Sequence, residues 1–554
     1  MNMARWNRAK RTLTAMSAAL ASLFCMAGCG TAVQNNSLGA QASQAAGNDV
    51  LTIPADGKKI QEGGTLTLTL SSDPDKLDPT TTSSLASTQV LNNICQPLYT
   101  VDASGSTVPL LAAAEPKISE DGKTYTFAVK QGVKFADGTD LNADAVVKTL
   151  ERNLNLQGSA RKSDLGPISQ VKALDESTVE IDLSEPYAPL VSTLAGRAGM
   201  IMSPKALDES GDDFGTAPVC VGPFKFDSRV SSTSVTLVKD PNYYDAANVH
   251  LDKVVYKVIT DSAIRTQNLK SGDVQLADNL TPQDVVSVKD DDSLTVMSAP
   301  SYGYQALEIN IANTAGVGKP GSQIDTPIAK QKVVRQALAM SIDRDQLVES
   351  VFGGLYSSAC SFVSDSTPFA SESSKTCLPH DPAKAKQMLE DAGVTTPYTV
   401  KVSVANSPAQ LQVMQAIQSQ AKEGGFDIQI EPAESTTVLS NLNAGKYDVT
   451  QLGWSGSLDA DQNVSLFLQS NGSMNFNGYA NRQVDQLLDQ AKTTADTSKR
   501  AELYGQVADL IREDSPIIYL YRMRYLTAVS SQVAGVSVYG DGIIRLANAA
   551  LVER

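Results

Sequence analysis

ISEDGKTYTFAVKQGVKFADGTDLNADAVVKTLER, residues Ile118–Arg152, is the stretch whose pattern decides the fold class. Asp121-Gly122 precedes TYTFAVK and Asp137-Gly138 follows KFA, so strands joined by tight turns are expected on both sides of Lys130. Asn142-Ala143-Asp144 then opens a helix that runs through Leu154, with the Asn142 side chain as its cap. Strands in hairpin succession leading into a helix describe an α/β chain with antiparallel features.

Outward from this block the same signals recur. GGTLTLTL, Gly63 to Leu70, alternates Thr with Leu and so presents one apolar and one polar face, the mark of a strand. TVEIDL, VTLVKD, KVVYKVI and YTVKVSVA read as further strands, and helices are expected at 328–340, 382–392, 408–424, 481–493 and 497–513. No internal repeat is visible. With 554 residues, 42% of them hydrophobic, the chain can bury more than one core, and its length argues for two or more lobes.

At the start of the chain Arg5, Arg8, Lys10 and Arg11 precede an apolar run from Leu13 to Ala27 and the box Met26-Ala27-Gly28-Cys29. A basic segment, a short apolar segment and a small residue before a cysteine read as a lipoprotein signal peptide over residues 1–28. The apolar run is too short, and too rich in small residues, for a permanent membrane span. Cleavage before Cys29 leaves a thiol to carry lipid; Cys25 follows bulky Phe24 and fits the cleavage requirement poorly. An uncleaved signal anchor is the alternative. Residues 30–59 are mostly Ala, Ser, Gln, Asn and Gly, so 29–59 is expected to be a flexible tether holding a folded body off the membrane on its extracytoplasmic face. Loss of residues 1–28 removes four basic and no acidic residues, leaving 42 Lys+Arg against 61 Asp+Glu and a net charge of −19. Such a surface repels nucleic acid and anionic head groups, so neither is an expected partner.

Catalytic patterns come close and fail. His250 and His380 are the only histidines, neither has metal-ligand neighbours in sequence, and a Ser-His-Asp or Cys-His enzyme is hard to build from so small a stock. Gly453-Trp454-Ser455-Gly456-Ser457 begins like a nucleophile elbow, but Ser457 stands where glycine lets the strand turn. Asp459, Asp461 and Asn463 match the first positions of a calcium loop, yet Val464 replaces its glycine and Ser470 its bidentate glutamate. No phosphate-cradling glycine loop follows a strand. No catalytic residue, metal or cofactor is therefore expected.

Taken together, the stretches resemble the extracytoplasmic solute-binding proteins of ABC importers, family 5, the oligopeptide- and dipeptide-binding lipoprotein type. The resemblance runs from about residue 60 to 545: GGTLTLTLSSDPDKLDP, VLNNICQPLY with Cys95-Gln96 where the family has an aromatic and a glutamate, the 118–152 block, VGPFKF, DPNYYDAANVHLDKVVYKVI, VVRQALAMSIDRDQLV, YDVTQLGW and NGYANRQVDQLLDQA, in family order. It implies an α/β, two-lobed, periplasmic-binding-protein-like fold of the Venus flytrap kind, with an extra subdomain inserted in the first lobe. By motif, the first lobe takes 60–95, 220–308 and 520–554, the inserted subdomain 96–219 and the second lobe 309–519. Closure then becomes a hinge rotation at the crossings near 308 and 520. The implied function is a lipid-anchored receptor that captures short peptides between the lobes and delivers them to permease subunits and their ATPase. An oligosaccharide or other solute is the alternative cargo. A surface sensor, adhesin or hydrolase is the alternative of another class.

The resemblance also directs attention to particular side chains. Peptide-binding relatives carry an acidic residue three positions beyond the Trp of a Gly-Trp pair, where it meets the peptide's amino terminus. Here Ser457 holds that place and offers only a neutral hydrogen bond; Asp459, two residues on, is the candidate substitute. Trp454 is expected in the cleft wall, with core packing as its alternative. Tyr302 and Tyr304 fall in the strand-like SYGYQALEIN, where alternation puts both rings on one face, toward the cleft or into the sheet. Ser71, Ser72 and Asp73 follow the first strand and offer polar contacts from the facing lobe, and Asn475 and Phe476 are weaker candidates. An even set of exported cysteines usually pairs. Cys360 and Cys377 bracket a Ser-rich loop, and by the resemblance Cys95 and Cys220 both lie where the inserted subdomain joins the first lobe; four reduced thiols are the alternative.

Overall fold

The computed structural model describes residues 49–553, so the expected signal peptide, Cys29 and most of the expected tether lie outside the described residues. Within them, two large sheets organise two lobes. A seven-stranded sheet runs Phe224–Val230, Ser234–Lys239, Lys253–Val258, Thr65–Leu70, Leu276–Ala277, Arg524–Ser530, Leu294–Pro300. Thr65–Leu70 pairs in parallel with both its neighbours, and the other pairings are antiparallel. A six-stranded sheet runs Ser357–Ser358, Ile517–Arg522, Tyr304–Ile309, Val449–Trp454, Tyr398–Ala405, Phe426–Ala433. A four-stranded antiparallel sheet of Lys117–Ile118, Thr124–Ala128, Thr178–Leu183 and Ile168–Ala173 carries the 118–152 block.

Local chemistry explains the elements that place the cleft. The Asn142 Oδ1 accepts from the Ala145 amide at 3.0 Å and starts the helix Ala143–Asn155. Thr178–Leu183 buries Val179, Ile181 and Leu183 on one face, and Tyr398–Ala405 buries Val400, Val402 and Val404, each as strict alternation requires. The helix expected at 328–340 is broken at Gln331 into Pro327–Lys330 and Lys332–Met340. The other four helices stand within two residues of their expected ends. KFA is not a strand: Asp137-Gly138 folds the chain back so tightly that Lys134 and Asp140 make only an isolated bridge.

The four-stranded sheet shares one continuous core with the seven-stranded sheet, since Tyr125, Phe127, Val179 and Ile181 pack in the same cluster as Leu66, Leu68, Val254 and Tyr256. The two faces of the six-stranded sheet fill separate clusters, one around Val402 and Leu338, the other around Tyr304, Phe467 and Tyr504. Disulfides join Cys95 to Cys220, at the root of the 96–219 segment, and Cys360 to Cys377.

The crossings between the large sheets fall at 301–303 and at Met523, so Tyr304–Ile309 and Ile517–Arg522 both belong to the second lobe and the expected boundaries at 308 and 520 move by a few residues. The two crossings touch. The Ser301 amide donates to the Met523 carbonyl at 3.1 Å, and the buried Arg522 guanidinium donates to the carbonyls of Gly303 at 2.7 Å, Ser361 at 2.6 Å and Val363. The tether also ends earlier than expected. Val50 bridges Ser298, Thr52 and Ile53 pair with Ser537 and Val536, and Arg524 meets Asp49, so from residue 49 the chain is part of the first lobe.

Candidate functional site

The strand Val449–Trp454 ends at the boundary between the lobes, and the loop 455–460 leads from it into the helix Asp461–Leu468. Asn463, on the first turn of that helix and buried, fixes the loop. Its Oδ1 accepts from Trp454 Nε1 at 2.9 Å and from the Ser457 amide at 2.7 Å, while its Nδ2 donates to the Ser457 carbonyl at 2.9 Å. Gly456 has φ +86°, and a Cβ there or on Gly303 would overlap the facing backbone, so the loop lies directly against the first crossing.

Trp454, Ser457 and Tyr302 form one wall of a cavity of about 410 Å³. The opposite wall comes from the first lobe and the four-stranded subdomain: Ser83 and Thr88 around the helix Leu85–Leu91, Arg161 and Asp164, and the segment Ser192–Met200. Tyr525, Gly540 and Asp541 close the base. Beyond Trp454 and Ser457 a second hollow of about 780 Å³ continues between Tyr187, Asp461, Gln462 and Lys492. Direct contacts span the lobes: Ser192 Oγ donates to Asp459 at 3.1 Å, and the Ala188 amide donates to the Lys492 carbonyl at 2.8 Å.

Trp454 is half-buried, with its ring edge-on to Phe467 at 5.1 Å, so it both lines the cleft and rests on the second-lobe core. Tyr302 is 3% exposed, and its hydroxyl has no partner among the described residues. Tyr304 does not share its face. It begins the strand, packs against Tyr519 and Phe467, and its hydroxyl donates to the Asn463 carbonyl at 3.2 Å, which makes it a support beneath the Trp454 loop. Tyr302 precedes the strand, so alternation does not govern it.

Asp459 is not available to a ligand. At 2% exposure its two oxygens accept from Arg500 at 2.6 and 2.9 Å, and Arg500 stacks over Phe369 and donates to Tyr504. Asp73 pairs with Arg229 at 3.1 Å and accepts from the Ser232 amide, outside the cavity; Ser72 is exposed beside it. Ser71 lines a separate small cavity with Asp278. Asn475 is bound to the carbonyls of Gln469 and Tyr479, and it and Phe476 stand away from the cavity. His250 contacts Glu62, and His380 lies 3.5 Å from Asp343, both away from the cleft.

Sequence reasoning missed the charged groups of the opposite wall. Arg161 pairs with Asp164 at 2.7 Å, and burial draws Arg161 down and pushes the Asp164 carboxyl up. Burial first, and then the charge of Arg161, bring Arg197 down to about 10, so it stays charged at neutral pH. The sequence signal was an arginine inside the apolar LAGRAGMIM. Asp461, facing the second hollow, is pushed up to about 6, chiefly by burial.

Comparison with known proteins agrees with this architecture. The profile of the bacterial extracellular solute-binding proteins, family 5 middle region, matches residues 106–475. The glutathione-binding protein GsiB of Escherichia coli (strain K12) is 28% identical over 477 residues, spanning 84% of this chain and 90% of that protein. Among solved structures, the ABC transporter substrate-binding protein CtaP of Listeria monocytogenes superposes with a TM-score of 0.79 at 23% identity, over 89% of this chain and all of that one. The oligopeptide-binding protein AppA of Bacillus subtilis, in complex with a nonapeptide, superposes with a TM-score of 0.70 at 22% identity, over 89% and 100% of the two chains.

Proposed function

The chain belongs to family 5 of the bacterial extracellular solute-binding proteins, and on that premise we propose that it is the lipid-anchored receptor of an ABC importer, taking short peptides into the interlobe cavity and presenting them to the permease. The observation that carries this reading is the cavity itself: it draws Trp454 and Ser457 from one lobe and Thr88, Arg161 and Arg197 from the other, so a ligand inside touches both walls and favours the closed arrangement. Its size and its mix of three large aromatics, Tyr302, Trp454 and Tyr525, with hydroxyl and charged groups suit a peptide of a few residues. GsiB is named for glutathione and AppA was solved with a nonapeptide, which places peptides and a peptide-like thiol among what similar proteins hold. The anchor is proposed from sequence alone, at Cys29 after the Met26-Ala27-Gly28 box.

The test is mass spectrometry of small molecules released by acid from protein purified out of its native host. The expected result is short peptide at about one per chain, recovered intact after long incubation. A sugar or a metal chelate in that place, or cleavage of added peptide, would overturn the reading. Cys29→Ser should leave the protein unprocessed or release it from the membrane fraction; normal processing and retention would exclude lipid at that site.

A further inference from the structure

Four charged side chains line the first cavity: Arg161, Asp164, Arg197 and Asp541. Three of them are already matched. Arg161 and Asp164 pair with each other, and Asp541 accepts two bonds from Arg545, at 2.6 and 3.1 Å. Arg197 alone among the four has no carboxylate within 4.0 Å among the described residues. Its Nη1 donates to Thr88 Oγ1 at 2.8 Å and, at 3.4 Å, to the Ser84 carbonyl; Nε and Nη2 carry no hydrogen bond to a described residue. The side chain is thus held by one edge against the helix Leu85–Leu91, with two donors left over, half-buried on the wall of a cavity. A guanidinium in that position has the fork geometry that takes a carboxylate through two parallel bonds. Tyr302 lines the same cavity, and its buried hydroxyl has no partner among the described residues. On the facing loop Ser457 is neutral and Asp459 is committed to Arg500, so neither provides a carboxylate for a free ammonium.

Resting on the reading of the cargo as a short peptide, we propose that Arg197 is the specificity-determining residue of the cleft, receiving the ligand's carboxylate, and that recognition of the anionic end outweighs recognition of the amino terminus. The ligand class this selects is a short peptide with a free carboxylate, whether or not its amino group is blocked.

Two mixed libraries of tripeptides built from Gly, Ala, Ser, Leu and Phe, one with free carboxyl termini and one amidated, test this by equilibrium dialysis with mass-spectrometric readout. The intact protein should hold the acids at least tenfold more tightly than the amides. Arg197→Gln should weaken the acids at least tenfold while leaving the amides unchanged, and Arg197→Lys should fall between. Thermal unfolding of the empty variants, together with Thr88→Val, which removes the arginine's tether and keeps its charge, separates loss of fold from loss of recognition. Equal binding of acids and amides, or an unchanged preference in Arg197→Gln, would overturn the assignment and leave the peptide reading standing. If neither library binds, the peptide reading falls and takes the assignment with it.

Discussion

Replacing Asp459 with alanine should damage the fold before it damages anything else. The carboxylate is 2% exposed and accepts two charge-assisted bonds from Arg500, itself 4% exposed. It also takes a bond from Ser192 across the cleft and one from the Asp461 amide. Without it, Arg500 keeps Tyr504 and the Ala491 carbonyl as partners but holds an uncompensated buried charge. Breaking one side of such a pair costs about 3–5 kcal/mol. In a cooperative unit of about 150–250 residues, each kcal/mol shifts the melting temperature by about 2–4 °C, so a drop of roughly 6–20 °C is expected. Differential scanning calorimetry of the empty protein measures it, and the second lobe should be the part that melts early. The double variant Asp459→Ala/Arg500→Met should recover much of the loss, because it removes the stranded charge as well. An unchanged melting curve for Asp459→Ala, with peptide binding abolished, would refute this reasoning and return Asp459 to the ligand.

Three further outcomes follow from the same contacts. The Glu308 carboxyl is buried and accepts a bond only from Asn477 among the described residues; burial pushes it up to about 8. Because the folded state keeps a proton that the unfolded state releases near 4.5, its contribution is fully present below that pH and declines as pH rises toward 8, by a few kcal/mol in all; Glu308→Gln should flatten denaturation curves measured from pH 5 to 9, and an equally steep decline would exclude it as the cause. Asn463→Ala strips three bonds from the Trp454–Ser457 loop, and should weaken peptide binding and dampen the near-ultraviolet circular dichroism of Trp454 while costing about 1–3 kcal/mol of stability. Cys360→Ser/Cys377→Ser opens a short loop and should cost about 3 kcal/mol in chemical denaturation, with no effect on the first lobe.

Much of this fold was legible because its strands alternate cleanly and its helices are capped by their own sequence, as Asn142, Ser407 and Asn481 each do. The tether's end was not: residues 49–53 are held by pairing with Val536, Ser537 and Ser298, partners hundreds of positions away that no local composition signals. The site divides along the same line. Trp454 belongs to a recognisable Gly-Trp pair, with Ser457 three residues on, and both are expected at the cleft, but the role of Asp459 depends on Arg500, a residue 41 positions on in the helix Thr497–Asp514. The face expected to be shared by Tyr302 and Tyr304 fails because the strand starts at Tyr304 rather than at Tyr302, and the pleat applies only from there. Arg197 was passed over because one arginine in an apolar stretch has no meaning until folding shows which carboxylates are already taken.

The most direct test of a ligand held between the lobes is the fluorescence of Trp454, the only tryptophan beyond residue 28. Titrating protein that begins at residue 30 with the peptide recovered from the native host should give a saturable change in emission at one peptide per chain, and Trp454→Ala should bind it more weakly by about 1–3 kcal/mol. Tight stoichiometric binding that leaves the emission unmoved, and survives Trp454→Ala intact, would contradict a binding site in this cleft.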